Sequence, residues 1–191
     1  MKYSQQAWLR FAFGEYQTEP GGEEGGWSYD TGQDNPTYRG IEMREWCAFC
    51  HVGTMSRALF EGSATLSAIA NYVIPEYWEP AHCDTAPLGA DVLIADHCFN
   101  AGLGSACSVV RAWQRMLGVT ADGVAGPLTG QAMHGVGDAN ALTTLRDCIE
   151  DDYKTKREWA VDGRGWIARL DRCLVLANKL AGASAAAGDT S

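Results

Sequence analysis

The stretch EGGWSYD, residues 24–30, is followed closely by PTYRGI, residues 36–41, and together they set one glutamate among glycines, aromatic rings and hydroxyl groups. The glycine pair lets the chain turn sharply and lets a polymer approach the backbone. Trp27 and Tyr29 offer flat faces to sugar rings and can keep a nearby carboxyl dry. A dry carboxyl stays protonated and can donate its proton. The stretch is therefore typical of a cleft that cleaves sugar polymers.

Length and composition limit the possible functions. The chain has 191 residues, of which 46% are hydrophobic, so it can bury a real core. A net charge of −9 argues against nucleic acid as a partner, because phosphate binding needs clustered lysine and arginine. No stretch approaches the roughly 20 apolar residues of a membrane span, so we expect no membrane insertion. The N-terminus lacks the features of a secretory signal, which predicts synthesis in the cytoplasm without a signal peptide.

Hydrophobic periodicity predicts a mainly α fold. Helices are expected at residues 4–18, 54–74, 88–100, 105–117, 138–160 and 164–181. Residues 21–40 are rich in glycine, and a loop of this length inside a compact domain is usually functional. Aromatic and threonine residues alternate with turn formers over residues 27–41, which predicts a short irregular or β-hairpin segment. The small, polar tail at residues 183–191 is expected to be disordered.

Seven cysteines are scattered along the chain, and most are expected to pack as small buried residues. The segment CAFCH, residues 47–51, also fits a redox pair, half of a zinc site or a haem-attachment motif. Zinc would need two further ligands, for which the candidates are His82, Cys83, His97 and Cys98. We predict no metal and no cofactor, and a disulfide between Cys47 and Cys50 stays open.

Several motifs resemble those of a known enzyme family. Residues 24–41 look like the active-site entry of glycoside hydrolase family 108, the N-acetylmuramidases of phage endolysins, with one residue fewer than the usual spacing. The stretch YWEPAHCD, residues 77–84, resembles the start of the family's YWxPxxCDxxPxGxD motif. Residues 96–102, DHCFNAG, are similar to the family's DxAVNSG. The resemblance extends over residues 5–178 in the family's order.

The later part of the chain continues this resemblance. Residues 113–129 resemble the helix, turn and helix of the peptidoglycan-binding-like region attached to these muramidases, and GWIAR, residues 165–169, matches their closing GWxxR helix. The resemblance implies a lysozyme-like helical fold. It further implies a catalytic lobe at residues 1–90 and a helical peptidoglycan-binding-like lobe at residues 91–182 packed on it.

The resemblance also implies an activity. Such a protein is an endolysin that hydrolyses the β-1,4 bond between N-acetylmuramic acid and N-acetylglucosamine, with a glutamate protonating the leaving oxygen. Glu24 is assigned this role. In the family the glutamate ends the first helix, whereas here Pro20, Gly21 and Gly22 intervene, so Glu15 at the predicted helix end is the alternative.

The other candidate site residues each have a structural alternative. Asp30 is expected to orient a water or stabilise positive charge, unless it caps a turn. Thr37 is expected to hold the attacking water, unless it is an ordinary strand hydroxyl. The expected sugar-binding residues are Trp27, Tyr29, Tyr38, Tyr77, Trp78 and Asn100. Tyr77 and Trp78 also fit a core role. Asn100, one turn from Asp96, also fits a helix-capping role.

The resemblance thus implies a monomer whose partner is bacterial peptidoglycan and which acts on the cell wall or periplasm after release. A lytic transglycosylase, which uses one glutamate and the sugar's own hydroxyl, is an enzymatic alternative. A non-catalytic peptidoglycan-binding protein is an alternative of another class. A metal or redox protein centred on Cys47 and Cys50 is a third.

Overall fold

The structure is a computed structural model that describes residues 1–14, 22–28 and 35–188, with side chains described as far as residue 183. Within these residues it contains nine α-helices and a small three-stranded antiparallel sheet, consistent with a lysozyme-like fold. The predicted mainly α class with a short hairpin is confirmed. The chain divides into two compact units, residues 9–74 and residues 1–8 with 75–191. The lobes predicted at 1–90 and 91–182 are a different division and stay a prediction.

The smaller unit contains the sheet and four helices or parts of helices. Their bounds are α1 Tyr3–Phe13, β1 Trp27–Ser28, β2 Thr37–Tyr38, β3 Ile41–Glu42, α2 Met43–Phe49, α3 Arg57–Ser63 and α4 Leu66–Val73, and α1 enters this unit at Leu9. The strands pair in the order β1-β2-β3, with Trp27 opposite Tyr38 and Thr37 opposite Glu42. The sheet therefore sets two of the aromatic residues of the opening motif side by side.

An aromatic cluster forms the core of the smaller unit. The ring of Trp46 stacks on Phe60 with centroids 5.6 Å apart, and Tyr72 meets Trp46 edge-on at 6.1 Å. The indole N–H of Trp46 donates to the Ser63 hydroxyl at 2.9 Å, so this buried ring keeps its hydrogen bond. Helix α3 begins at an N-cap, because the Ser56 hydroxyl accepts from the amide of Leu59. These contacts join α2, α3 and α4 into one packed group.

The larger unit is built from the remaining helices. They follow a π-helical turn at Ile74–Trp78 and have the bounds α5 Ala90–Ala101, α6 Leu103–Met116, α7 Pro127–Val136, α8 Asp138–Lys154 and α9 Trp159–Gly188. Every residue of α5 from Ala90 to Cys98 is buried, so α5 is the central helix of this unit. Helix α9 continues to Gly188, through residues that the sequence predicted as the start of a disordered tail.

A buried ion pair connects the first and last helices to α5. Asp96 accepts from Arg169 through both carboxylate oxygens, at 2.7 Å from Nη2 and 3.0 Å from Nε. The indole N–H of Trp8 donates to the same carboxylate at 3.4 Å. A buried carboxylate is tolerated when its charge and lone pairs are satisfied in this way. Asp96 is thus a structural residue of the larger unit.

The turn between α6 and α7 is organised by one buried glutamine. The Gln114 amide nitrogen, which carries two hydrogens, lies within hydrogen-bond distance of three acceptors: Asp122 Oδ1 at 2.8 Å, the Val124 carbonyl at 3.0 Å and Thr129 Oγ1 at 3.1 Å. Its oxygen accepts from the amide of Gly123 at 2.8 Å. The side chain therefore replaces backbone partners that the turn cannot supply.

We predict that Gly89→Ala strongly destabilises the larger unit. Gly89 has φ +93°, and an added Cβ would lie 2.6 Å from the carbonyl oxygen of Ala177 in α9. The left-handed backbone alone disfavours alanine by about 1–2 kcal/mol, and the steric overlap adds to this, so we expect a total loss above about 2 kcal/mol in urea unfolding. Gly104→Ala is the control, because a Cβ there meets no atom within 4 Å. Equal stability of the two variants would contradict the prediction.

Candidate active site

The candidate site begins at the C-terminal end of α1. An α-helix leaves its last carbonyl groups without partners inside the helix. Here the amide of Glu23 donates to the carbonyl of Phe11 at 2.9 Å, and the amide of Glu24 donates to that of Ala12 at 2.8 Å. The backbone of Glu24 is therefore attached to the end of the first helix, although the two are separated along the sequence.

Glu24 lies in a loop whose backbone is partly exposed. Its side chain is half-buried, and the next two residues are glycines, so no side chain covers the backbone directly after it. An added Cβ at Gly26 would meet no atom within 4 Å, so the backbone there borders open space. Glu15, the alternative acid, lies outside the described residues, as do Tyr29 and Asp30. Their predicted roles stay predictions.

Arg39 lies at the tip of the hairpin between β2 and β3 and contacts the end of α1. It has φ +50° and Gly40 has φ +71°, the combination of a two-residue type I′ turn. Its guanidinium donates to the carbonyl of Phe13 at 3.1 Å, and its amide donates to that of Gly26 at 3.3 Å. A type I′ turn requires positive φ at both of its central residues, so the turn itself accounts for the backbone of Arg39. The sequence pattern alone does not single out Arg39 as a site residue.

The structure brings two predicted sugar-binding residues together. The rings of Trp27 and Tyr38 lie 5.2 Å apart, tilted by 35°. Both meet the buried ring of Phe60 edge-on, each at 5.6 Å between centroids. Trp27 and Tyr38 are half-buried, and Thr37 lies beside Tyr38 on the same strand. The pair is thus a partly exposed aromatic surface supported by the core.

Helix α3 supplies two further groups to this surface. The guanidinium carbon of Arg57 lies 5.3 Å from the centre of the Trp27 ring. The carboxylate of Glu61 accepts a hydrogen bond from the Trp27 indole N–H. Arg57 and Glu61 are four residues apart on a helix, which puts them on one face. That spacing was visible in the sequence, but nothing in it indicated that this face meets Trp27.

The other predicted sugar-binding residues belong to the larger unit and make structural contacts. Trp78 is fully buried, lies 5.7 Å from the Trp8 ring and donates to Asp84 at 3.1 Å. The Tyr77 ring meets that of Phe99 edge-on at 5.1 Å.

The amide nitrogen of Asn100 donates to the backbone carbonyl of Asp96 at 2.6 Å. This bond lies within α5, so Asn100 has a local structural contact, although not the capping of a neighbouring helix that was the expected alternative. Together with the buried ring of Trp78, it favours a structural role for both residues.

In the CxxC segment, Cys50 is not an activated thiol. Cys47 is buried and Cys50 is half-buried on α2 and at its end, and both are free thiols. Burial, and secondarily the neighbouring Cys47, raise the pKa of the Cys50 thiol, which disfavours the reactive thiolate. Among the residues that the structure describes, no group of three or more histidine, cysteine or acidic side chains is arranged to hold a metal ion.

In the same residues, no helix is both long and apolar enough to cross a membrane.

Comparison with known proteins identifies a similar solved structure. The chain superposes on SagA from Brucella abortus with a TM-score of 0.63 and 24% sequence identity, over 83% of this chain and 89% of that one. No family model and no curated protein matches the chain. At this level of identity the likeness shows a shared fold.

We predict that Arg39 helps to hold the segment that carries Glu24. In Arg39→Asn the positive φ is tolerated but the bond to the Phe13 carbonyl is lost, so the last turn of α1 opens more often. One such bond contributes about 1 kcal/mol, so amide hydrogen exchange at Glu23 and Glu24 should quicken about fivefold. Arg44→Asn is the control, because Arg44 is 82% exposed and pairs with Glu42. Unchanged exchange in Arg39→Asn would refute this role.

Proposed function

We propose that the protein is a peptidoglycan hydrolase that cleaves the β-1,4 bond between N-acetylmuramic acid and N-acetylglucosamine, with Glu24 as the general acid. The observation that supports this most is the attachment of the Glu24 backbone to the end of α1, three residues before Trp27 and the aromatic surface. Acid catalysis needs the carboxyl to be held within hydrogen-bond reach of the leaving oxygen. A backbone hydrogen-bonded to a helix end fixes the point from which the Glu24 side chain extends.

The neighbouring groups have supporting roles in this proposal. Thr37, on the strand that pairs with β1, would hold the attacking water, and Asp30 would stabilise the positive charge that develops on the sugar. Trp27 and Tyr38 would contact the sugar rings, since aromatic faces pack well against them. Tyr29 and Tyr77 stay as further proposed contacts. Trp78 and Asn100 are left with the structural roles that their hydrogen bonds favour.

The proposal also includes the partner, the oligomeric state and the place of action. Peptidoglycan is the proposed partner, the protein acts as a monomer, and it reaches the wall or periplasm after release from the cytoplasm. The likeness to SagA supports the expected helical architecture over most of the chain. The activity itself is supported by the arrangement at the end of α1 and by the motifs of residues 24–41.

We predict that Glu24→Gln abolishes the release of sugar ends from purified peptidoglycan. The amide keeps the shape of the side chain but cannot donate an acidic proton, so the rate should fall at least about 100-fold. Glu23→Gln is the matched control, because Glu23 is the neighbouring half-buried glutamate whose amide bonds to the preceding carbonyl of α1. Full activity in Glu24→Gln together with loss in Glu15→Gln would transfer the role to Glu15.

The products separate this activity from its two alternatives. A hydrolase leaves a reducing N-acetylmuramic acid end, whereas a lytic transglycosylase leaves an anhydro end that is lighter by one water. We expect the reducing end in mass spectra of the digest. A protein that only binds peptidoglycan would release neither product, and sedimentation with the insoluble wall would then be its remaining signature.

A further inference from the structure

The exposed side of α9 carries a row of basic and apolar residues. The inner side of this helix packs on α5 and α8, and Leu170, Ala177 and Leu180 are buried there. On the outer side, six exposed residues follow one another at intervals of three or four positions: Val161, Arg164, Ala168, Arg172, Val175 and Lys179. At 3.6 residues per turn these positions fall within an arc of about 80° and form a row about 27 Å long, which we call the α9 stripe.

The charge of α9 differs in sign from that of the whole chain. The chain has 15 basic and 24 acidic residues, whereas α9 has four basic and two acidic side chains. Neither acid lies on the stripe. Asp171 borders it and accepts from Arg146 Nε at 3.0 Å, and Asp162 lies on another side of the helix. The stripe is therefore a row of positive charge on an acidic protein, with a local field opposite in sign to the net charge.

Arg164 and Lys179 are the two charges of the stripe on which the inference depends. In the described part of the chain, neither has an ion-pair partner. Arg169, on the inner side of the same helix, is by contrast paired with Asp96 inside the fold. Arg164 and Lys179 are separated by about 22 Å along the helix axis, so they can meet two separate anionic groups of one extended ligand.

The stripe also exposes apolar surface. Val161 is 84% exposed and Val175 is 71% exposed, and both lie among the basic residues. Valine is a poorer helix former than alanine or lysine, so helix propensity gives no reason for valine at these positions. A partner that covered the stripe would remove these side chains from water. The stripe therefore offers both charge and apolar contact.

We propose that the α9 stripe binds the carboxylates of peptidoglycan and thereby attaches the protein to that polymer. The inference rests on the proposed function, which makes peptidoglycan the substrate. Each muramic unit carries a lactyl group that ends in a carboxylate or continues into a peptide with carboxylates, so the polymer presents negative charges in rows. A protein of net charge −9 is repelled by such a polymer except where a local row of positive charge faces it.

The stripe fits a linear polymer of spaced carboxylates better than a membrane or a nucleic acid. Polybasic segments that bind anionic lipid have clusters of about four to eight lysines and arginines, whereas the stripe has three basic residues. Duplex nucleic acid carries one charge per about 1.7 Å, which calls for denser positive charge than basic residues roughly 10–12 Å apart. The spacing of the charges therefore favours the wall polymer.

Sedimentation with purified peptidoglycan tests the stripe. The Glu24→Gln protein is used so that the polymer is not cleaved, and it is compared with the same protein carrying Arg164→Gln and Lys179→Gln together. Loss of the two charges should weaken binding about tenfold at low salt, as expected for two exposed ion pairs. At about 1 M salt, where the Debye length is about 3 Å, the two proteins should bind alike.

A matched control separates the stripe from net charge. Arg44→Gln together with Arg115→Gln changes the net charge equally, and both arginines are exposed and lie outside α9. This double variant should bind peptidoglycan as strongly as its parent. An equal loss in the two double variants would mean that only net charge matters, and would overturn the proposal.

Two further probes identify the partner. Peptidoglycan whose carboxylates have been converted to neutral amides should bind the parent protein only as weakly as untreated peptidoglycan binds the stripe variant. Undiminished binding to the amidated polymer would overturn the proposal. Stronger binding to vesicles of phosphatidylglycerol and phosphatidylcholine than to peptidoglycan would also overturn it, in favour of a membrane surface.

The outcome is independent of the catalytic assignment. If the wild-type protein releases no sugar ends but binds peptidoglycan through Arg164 and Lys179, the proposed hydrolase activity fails and the stripe stands. If it cleaves peptidoglycan while its binding ignores both residues, the activity stands and the stripe fails. A protein that does not sediment with peptidoglycan at low salt contradicts the stripe directly.

Discussion

The end of α1 imposes the constraint on which the candidate site depends. Its last carbonyl groups need donors, and the chain provides them from two directions. The amides of Glu23 and Glu24 serve the carbonyls of Phe11 and Ala12, and the guanidinium of Arg39 serves that of Phe13. The hydrogen bonds that these last carbonyls accept thereby join the segment of Glu23 and Glu24 to the tip of the β2–β3 hairpin. The backbone position of the proposed acid is therefore a consequence of hydrogen bonding at the helix end.

Phe60 connects the partly exposed rings of the site to the buried core of the smaller unit. It stacks on Trp46 on the buried side and meets the rings of Trp27 and Tyr38 edge-on. Aromatic pairs in these geometries contribute beyond the area that they bury. The partly exposed surface is therefore continuous with the hydrophobic core, and its rings cannot move without disturbing α3.

Sequence periodicity predicted the buried helices well and the chain ends less well. The helix expected at residues 88–100 corresponds to α5, Ala90–Ala101. It was predicted closely because most of its residues are apolar and buried. The first helix was expected to reach residue 18 and ends at Phe13, before Gly14. Helix α9 extends to Gly188 because its last residues include several alanines, and alanine has the highest helix propensity. The approach of α3 to Trp27 could not be predicted, since it depends on tertiary packing between residues about thirty positions apart.

The motifs that carry the family resemblance have different physical roles in the two units. In the larger unit they are packing residues: Trp78 donates to Asp84, Asp96 pairs with Arg169, and Gln114 organises its turn. A shared pattern of such residues is what a shared fold requires, whatever the chemistry. In the smaller unit the motif lies at a helix end and a hairpin tip, where packing alone does not require a glutamate. The proposed catalysis is therefore supported by residues of the smaller unit, whereas the motif residues of the larger unit stabilise its helices.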